Sequence, residues 1–245
     1  MRSSARALAP LAVAVVAAAL VGCSTAPTPT PQPSIPPGIT APPPTAPAEP
    51  PAPEVESSLP PEIAGVDTSA WQQIPMADVA TFRIPPEWST EEISGGLAVL
   101  RADGERQLAL TIGAAGETLA SLPTGCVDAA GTAVGWRTLG LDRQDVTITG
   151  ATGVAFGAAA LQLGEQWIVS MGLRPAAEAQ SPRCPIINAF DSEQGLVSFG
   201  SETIVTGSGE GAPWAVGSLA DAQAYVGTEE FATIRAVLMS LELLP

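Results

Sequence analysis

The sequence contains no histidine and no lysine, so all ten basic residues are arginine. Without histidine the chain cannot form a Ser-His-Asp or Cys-His catalytic group or a histidine-based zinc site. Without lysine it lacks a Walker A lysine, a Ser-Lys dyad and a Schiff-base amine. The glycine-rich run 207–211 therefore indicates a flexible turn rather than a phosphate-binding loop.

The catalytic chemistry that these absences leave open is that of paired carboxylates, as in glycoside hydrolases. Glu91, Glu92, Asp142 and Asp145 are candidates for such a pair, but in a chain this acidic we interpret them as solvated surface residues. The Asp-x-Asp-x-Asp-Gly signature of a calcium loop is also missing. We therefore expect no enzyme activity, no metal and no cofactor. A carboxylate-based hydrolase of cell-wall glycans is the alternative hypothesis.

Residues 7–20 form an apolar run. A helix needs about 20 residues to span a bilayer, so this run is too short to do so. Two arginines precede it, an order that is typical of a secretory signal. The run ends in Leu20-Val21-Gly22-Cys23, which resembles the lipobox of bacterial lipoproteins, where the cysteine is acylated on sulfur. The resemblance implies a signal peptide at residues 1–22 and lipidation of Cys23. The alternative is an ordinary cleaved signal followed by a chance cysteine.

An acylated Cys23 implies an anchor in membrane lipid at the extracytoplasmic face of the cell membrane. Each buried methylene contributes about 0.8 kcal/mol, so the acyl chains of a diacylglyceryl group, palmitate for example, retain a protein without a transmembrane helix. Residues 23–61 then form a tether: 15 of the 25 prolines lie there, and no aromatic residue does. Such a segment cannot bury a core and is extended, with a reach of about 120 Å.

Three cysteines are present, and two remain once Cys23 carries the lipid. Extracytoplasmic compartments permit disulfides, so we predict a bond between Cys126 and Cys184. Two separate buried thiols are the alternative. A two-cysteine metal site is disfavoured because no histidine can complete it.

The segment 62–245 carries 8 arginines and 22 acidic residues, a net charge of −14. Nucleic acid is excluded as a partner, since binding it requires basic residues against the phosphates. Anionic lipid headgroups are repelled as well. We interpret the charge as a source of solubility, with attraction to cationic partners or divalent cations as the alternative.

Residues 62–245 are sufficient for one globular domain. Apolar alternation bounded by turn residues predicts strands, with hairpins around residues 102–105 and 164–165. Ser218 and Thr228 are expected to cap two C-terminal helices, the second with an apolar face. This pattern predicts an α+β fold, an antiparallel sheet packed by helices. The predicted strands are 72–76, 81–85, 97–101, 107–112, 136–141, 145–149, 153–163, 166–173, 196–200, 202–206 and 241–244.

Aromatic residues are few: five Trp, five Phe and one Tyr. Trp71, Trp136 and Trp167 fall in strand patterns, so we expect them in the core. Trp88 and Trp214 follow Pro-rich and Gly-rich breaks. If exposed, these two are candidates for framing a ligand or carbohydrate surface; burial, the more common state of tryptophan, is the alternative.

Two stretches of the domain resemble PsbP-like domains, including actinobacterial lipoproteins of the LpqN type. The first runs from Trp71-Gln-Gln-Ile-Pro to Phe82-Arg-Ile-Pro-Pro-Glu-Trp88-Ser. The second is the tail from Thr228-Glu-Glu-Phe231 to Ser240-Leu-Glu-Leu243. The resemblance implies a curved antiparallel sheet in an α/β/α sandwich. It also implies a domain that binds partners or small ligands, mostly without enzyme activity.

Together these observations predict a membrane-anchored extracytoplasmic lipoprotein without catalytic activity. Its domain is expected to bind an envelope protein or a small apolar ligand, in a groove or patch on one face of the sheet. Besides the hydrolase, a structural accessory subunit of an envelope complex is an alternative.

Overall fold

A computed structural model describes residues 62–113, 117–122, 124–126, 132–133, 135–163, 165–205 and 214–245. The predicted signal peptide, Cys23 and the proline-rich tether lie outside the described residues, which all belong to one compact unit of the chain. Within these ranges the polypeptide is mostly antiparallel β-structure with a few helices, in agreement with the α+β prediction at that level. The strands are β1 (Glu62–Ile63), β2 (Val66–Asp67), β3 (Gln72–Met76), β4 (Ala80–Ile84), β5 (Ser89–Ile93), β6 (Gly96–Leu100), β7 (Arg106–Ile112), β8 (Trp136–Val146), β9 (Val154–Leu163), β10 (Gln166–Pro175), β11 (Ile186–Ile187), β12 (Ala189–Ser192), β13 (Gly195–Gly200), β14 (Ile204–Val205), β15 (Ala215–Val216) and β16 (Glu242–Leu243).

The helices are short and lie mainly at the end of the chain. They are a 3-10 turn at Leu119–Ser121, α1 (Ala176–Gln180), α2 (Leu219–Tyr225) and α3 (Glu229–Met239). Among the described residues, no helix combines the length and apolarity needed to cross a membrane.

A large antiparallel sheet organises the domain. Its strands follow the order β5-β6-β7-β13-β10-β9-β8, with β12 paired to β13 and β15 paired to β10. A smaller sheet has the order β16-β4-β3, so the last strand of the chain pairs with β4, next to the antiparallel partner β3 near the start of the domain. The β9–β10 hairpin lies deep in the large sheet, in register from Gln166 opposite Leu163 to Pro175 opposite Val154.

One face of the large sheet packs against α2 and α3. Strand β10 contributes alternate residues to it, including Met171 and Leu173, both fully buried. The predicted apolar face of α3 is confirmed, with Phe231 packed edge-on against Phe156 at 5.9 Å between ring centroids. The Thr228 hydroxyl accepts a hydrogen bond from the amide of Phe231 at 3.1 Å, as expected of an N-cap.

The opposite face of the same strands is also covered. Successive residues of a strand point to opposite faces, so Ser170, Gly172 and Arg174 share this second face. A glycine row, Gly157, Gly172 and Gly200, crosses three neighbouring strands there. A Cβ built on Gly172 would lie 2.5 Å from the Cβ of Asn188. The lack of side chains at these glycines therefore lets the segment that carries Asn188 pack directly against the sheet. Helix α1 packs beside it.

Several predicted elements differ from the structure. The two strands predicted at 136–141 and 145–149 are one strand, β8, with a register shift between Gly140 and Asp142. Trp136, expected in the core, is 45% exposed because it lies on β8, an edge strand that pairs on one side only among the described residues. Sequence patterns also missed β1, β2, β5, β11, β12, β15 and α1. These elements have two to five residues each and depend on tertiary packing more than on a local pattern.

Candidate functional site

A cavity of about 290 Å³ lies on the second face of the large sheet. Its wall begins at the end of β10, continues through α1 and the following loop, and closes with β11 and the start of β12. Most of the lining is aliphatic or proline, and three lining residues are charged. The lining residues are Leu119, Arg174, Pro175, Ala177, Glu178, Pro182, Arg183, Pro185, Ile186, Ile187 and Ala189.

Arg174 is the unusual residue of this wall, because its side chain is only 1% exposed. Its Nη2 donates a hydrogen bond to the carbonyl of Gly157 at 2.6 Å. Its Nε is buried and has no hydrogen-bond partner among the described residues. A Cβ on Gly157 would approach that Nε to 3.0 Å, so the glycine provides the space that the guanidinium occupies.

The electrostatic setting of Arg174 disfavours its charge. Burial lowers the pKa of its guanidinium to about 9, and the negative charge of Glu178 opposes part of that fall. Across the described ranges no carboxylate comes within 4.0 Å of the guanidinium. Arg183, which is exposed, adds a second positive charge at the cavity. An arginine with its charge uncompensated at a cavity wall can bind an anion through several N–H donors.

The Cys126–Cys184 pair stands next to this wall. The two Cα atoms lie 5.5 Å apart, a separation that fits the predicted disulfide. Both residues are 5% exposed and pack in a small apolar cluster with Leu161, Ile168 and Ile186. Because Cys184 immediately precedes Pro185, the bond ties the cavity-lining loop to a distant part of the chain.

Comparison with known proteins found no matching family model and no matching curated protein.

Trp88, one of the two candidates for a ligand-binding surface, is buried. Its side chain is 6% exposed, because the Nε2 of Gln72 donates to the carbonyls of Pro85 and Trp88 at 3.1 and 2.7 Å and draws the turn inward. Trp88 lines a different cavity, of about 470 Å³, together with Trp71 and several acidic residues. Its role as a ligand contact stays a prediction.

Trp214 is half-buried rather than free at the surface. Its indole ring lies 5.8 Å from the ring of Tyr225, and it packs against both apolar clusters of the domain. Its indole Nε1 is buried without a partner in the described part of the chain, and its φ of 66° is unusual for a bulky residue. Its predicted ligand role is likewise untested by this geometry.

The structure does not bring the candidate carboxylates together. Glu91 and Glu92 lie on β5, and Asp142 and Asp145 lie on β8, at opposite ends of the strand order of the large sheet. Asp142 is paired with Arg235 at 2.9 Å. No cluster of three metal-ligating side chains occurs among the described residues.

Sequence reasoning missed Arg174 because an arginine before a proline at a strand end has the pattern of an ordinary surface residue. A signal was nevertheless present. The run Trp167-Ile-Val-Ser-Met-Gly-Leu173 is nearly continuous in apolar and small residues, which is typical of a strand buried on both faces. Arg174 stands two positions after Gly172 and therefore shares its covered face.

Proposed function

We propose that this chain is an exported lipoprotein whose folded domain binds a small ligand without catalysing a reaction. A diacylglyceryl group on Cys23 anchors it at the outer face of the cell membrane. Residues 23–61 are the tether that holds the domain away from the lipid surface. The ligand occupies the cavity beside Arg174.

The observation that carries the binding proposal is the cavity itself. Small-molecule sites are concave, mostly apolar and supplied with a few polar groups that orient the ligand, and many have volumes of about 300 Å³ or more. The cavity beside Arg174, about 290 Å³ with largely aliphatic walls and three charged residues, has this composition at the small end of that range.

Two further observations support a binding role. The chain has no histidine or lysine. The four candidate carboxylates lie on strands at opposite ends of the large sheet, and Asp142 is paired with Arg235, so these four form no acid–base pair across a cleft. The coverage of the large sheet on both faces also fits the three-layer arrangement of PsbP-like domains. We include membership of that fold in the proposal.

The anchor is tested by labelling cells that express the full-length protein with radioactive palmitate. Labelled wild-type protein in the membrane fraction and no label in a Cys23→Ala variant is the expected result. Absence of label from the wild type would contradict the lipoprotein assignment.

The cavity is tested with a Phe placed in its mouth. Ala177 is an exposed lining residue of α1, so Ala177→Phe should obstruct the cavity without disturbing the core. Ala224→Phe, an equally exposed position on α2, is the matched control. We expect ligand-observed NMR with small organic probes, primary amides and carboxylates of four to ten carbons, to detect binding to wild type and control only. Equal binding to all three proteins would contradict the proposal.

A further inference from the structure

We propose that the ligand of this cavity is a small organic carboxylate, bound with its charge against Arg174 and its apolar part along the aliphatic wall. This inference rests on the proposed function and adds the chemical class of the ligand. It concerns a position that no sequence motif marks.

Burying the Arg174 guanidinium carries a free-energy cost. A buried charge is normally paired with an opposite charge or fully hydrogen-bonded, because removing it from water is strongly unfavourable. In the described residues, Arg174 has one hydrogen bond, to Gly157, and no carboxylate partner. An uncompensated cation whose Nε has no partner is the arrangement expected where the counter-ion is a ligand.

The residues around Arg174 fit closely against its guanidinium. Gly157 lacks the Cβ that would crowd the Nε, and Ala179 of α1 covers the same spot with its small side chain, 3.1 Å from where that Cβ would be. The aliphatic stem is thus held between sheet and helix at the cavity wall. A guanidinium presents a planar fork of N–H donors that matches the two oxygens of a carboxylate.

The remaining lining residues favour an apolar body for the rest of the ligand. Eight of the eleven lining residues carry no charge, and all eight are Leu, Ile, Ala or Pro. Such a surface favours contact with hydrocarbon over a fully hydrated ion. The volume equals that of about ten water molecules, at about 30 Å³ each, which limits the ligand to a short chain or a single ring.

The charge balance at the cavity points the same way. The segment 62–245 has 22 acidic residues against 8 arginines, yet this cavity is lined by two arginines, Arg174 and Arg183, and one acid, Glu178. A cation would meet a net positive lining here. An anion would be attracted locally despite the overall negative charge.

The test compares matched pairs of probes on the full-length protein. Benzoate and hexanoate are titrated beside benzamide and hexanamide, which have nearly the same shape without the charge, and beside inorganic phosphate, which has charge without an apolar part. Affinities are measured by ligand-observed NMR and calorimetry for wild type, Arg174→Met, Ala177→Phe and the control Ala224→Phe. Circular dichroism of each variant verifies that it is folded.

We expect carboxylates to bind wild type at least tenfold more tightly than their amides, and phosphate to bind weakly. Arg174→Met should remove the preference for carboxylates while retaining weak amide binding, and Ala177→Phe should abolish both. Amides that bind as tightly as carboxylates, with binding lost in Ala177→Phe, would overturn the carboxylate inference and leave the binding function intact. Phosphate binding as tight as that of benzoate would also overturn it. Absence of any binding sensitive to Ala177→Phe would overturn both proposals.

Discussion

Replacing Arg174 with methionine should make the unliganded protein more stable, because a ligand-binding charge is held in the fold at a cost. Lowering the pKa of a buried arginine to about 9 corresponds to about 5 kcal/mol against its charged form, at about 1.36 kcal/mol for each pKa unit. Against this, the variant loses the hydrogen bond to Gly157, worth about 1.5–3 kcal/mol for a charged donor. Methionine keeps the aliphatic packing. The expected net gain is about 2–3.5 kcal/mol, within the range found when buried charges are replaced by apolar residues.

The assay is urea unfolding followed by tryptophan fluorescence, with the exposed Arg106→Met as the control that should change stability by less than about 0.5 kcal/mol. The pH dependence gives a second readout. Below pH 9 the guanidinium is protonated in both states, so its cost is constant. Between pH 9 and the ordinary arginine pKa, the native state binds fewer protons than the unfolded chain, so the free energy of unfolding of wild type rises relative to the variant. An Arg174→Met protein that is less stable than wild type at pH 7 would refute the reasoning, since Arg174 would then be a structural residue.

Three further results are expected. The affinity for benzoate should be constant from pH 6 to 8 and fall about tenfold per pH unit above about pH 9, as the unliganded Arg174 loses its proton. Glu178 and Arg183 are present in both wild type and Arg174→Met, so any contribution from them appears in both proteins. A pH-independent affinity in wild type, or the same fall in the variant, would contradict the assignment. Replacing both Cys126 and Cys184 with alanine should lower the free energy of unfolding by about 4 kcal/mol, because the bond closes a loop of 58 residues. The intact mass of the wild-type protein should rise by two hydrogens on reduction, and no rise would exclude the bond. Gly157→Ala should lower the free energy of unfolding by about 1–3 kcal/mol and weaken benzoate binding, since the new Cβ would meet the Nε of Arg174 at 3.0 Å. Gly140→Ala is the control, because a Cβ there would have its nearest neighbour at 3.9 Å. Equal effects of the two substitutions would argue against a specific fit at Gly157.

Elements defined by local patterns could be predicted from the sequence. The two hairpins were visible because apolar alternation flanks short turn segments, and the observed registers place them at the expected residues. Helix α3 was visible because Thr228 supplies its cap and Phe231 begins a face with helical spacing. The cysteine pairing followed from counting, since only two thiols remain after the one expected to carry lipid.

Features that depend on tertiary contacts could not be predicted in this way. The sequence around Trp88, with two prolines just before it, left both exposure and burial open, and a side-chain amide sixteen residues earlier holds it inside. Trp136 looks like a core residue, but it lies on a strand at the edge of the sheet. The cavity beside Arg174 is formed by a five-residue helix and two short strands that have no independent sequence signal. Its key arginine is recognisable only once the covered face of β10 is known.

The most direct test of the account is the NMR signal of the Arg174 Nε–H in protein labelled with ¹⁵N-arginine. Loss of one signal in Arg174→Met identifies it among the ten arginines of the chain. We predict that benzoate shifts this signal in a saturable manner, because the guanidinium to which the Nε belongs gains a charged acceptor, and that benzamide at the same concentration does not. An unchanged signal at saturating benzoate, or an equal shift with benzamide, would contradict the claim that this buried guanidinium is the anion-binding group.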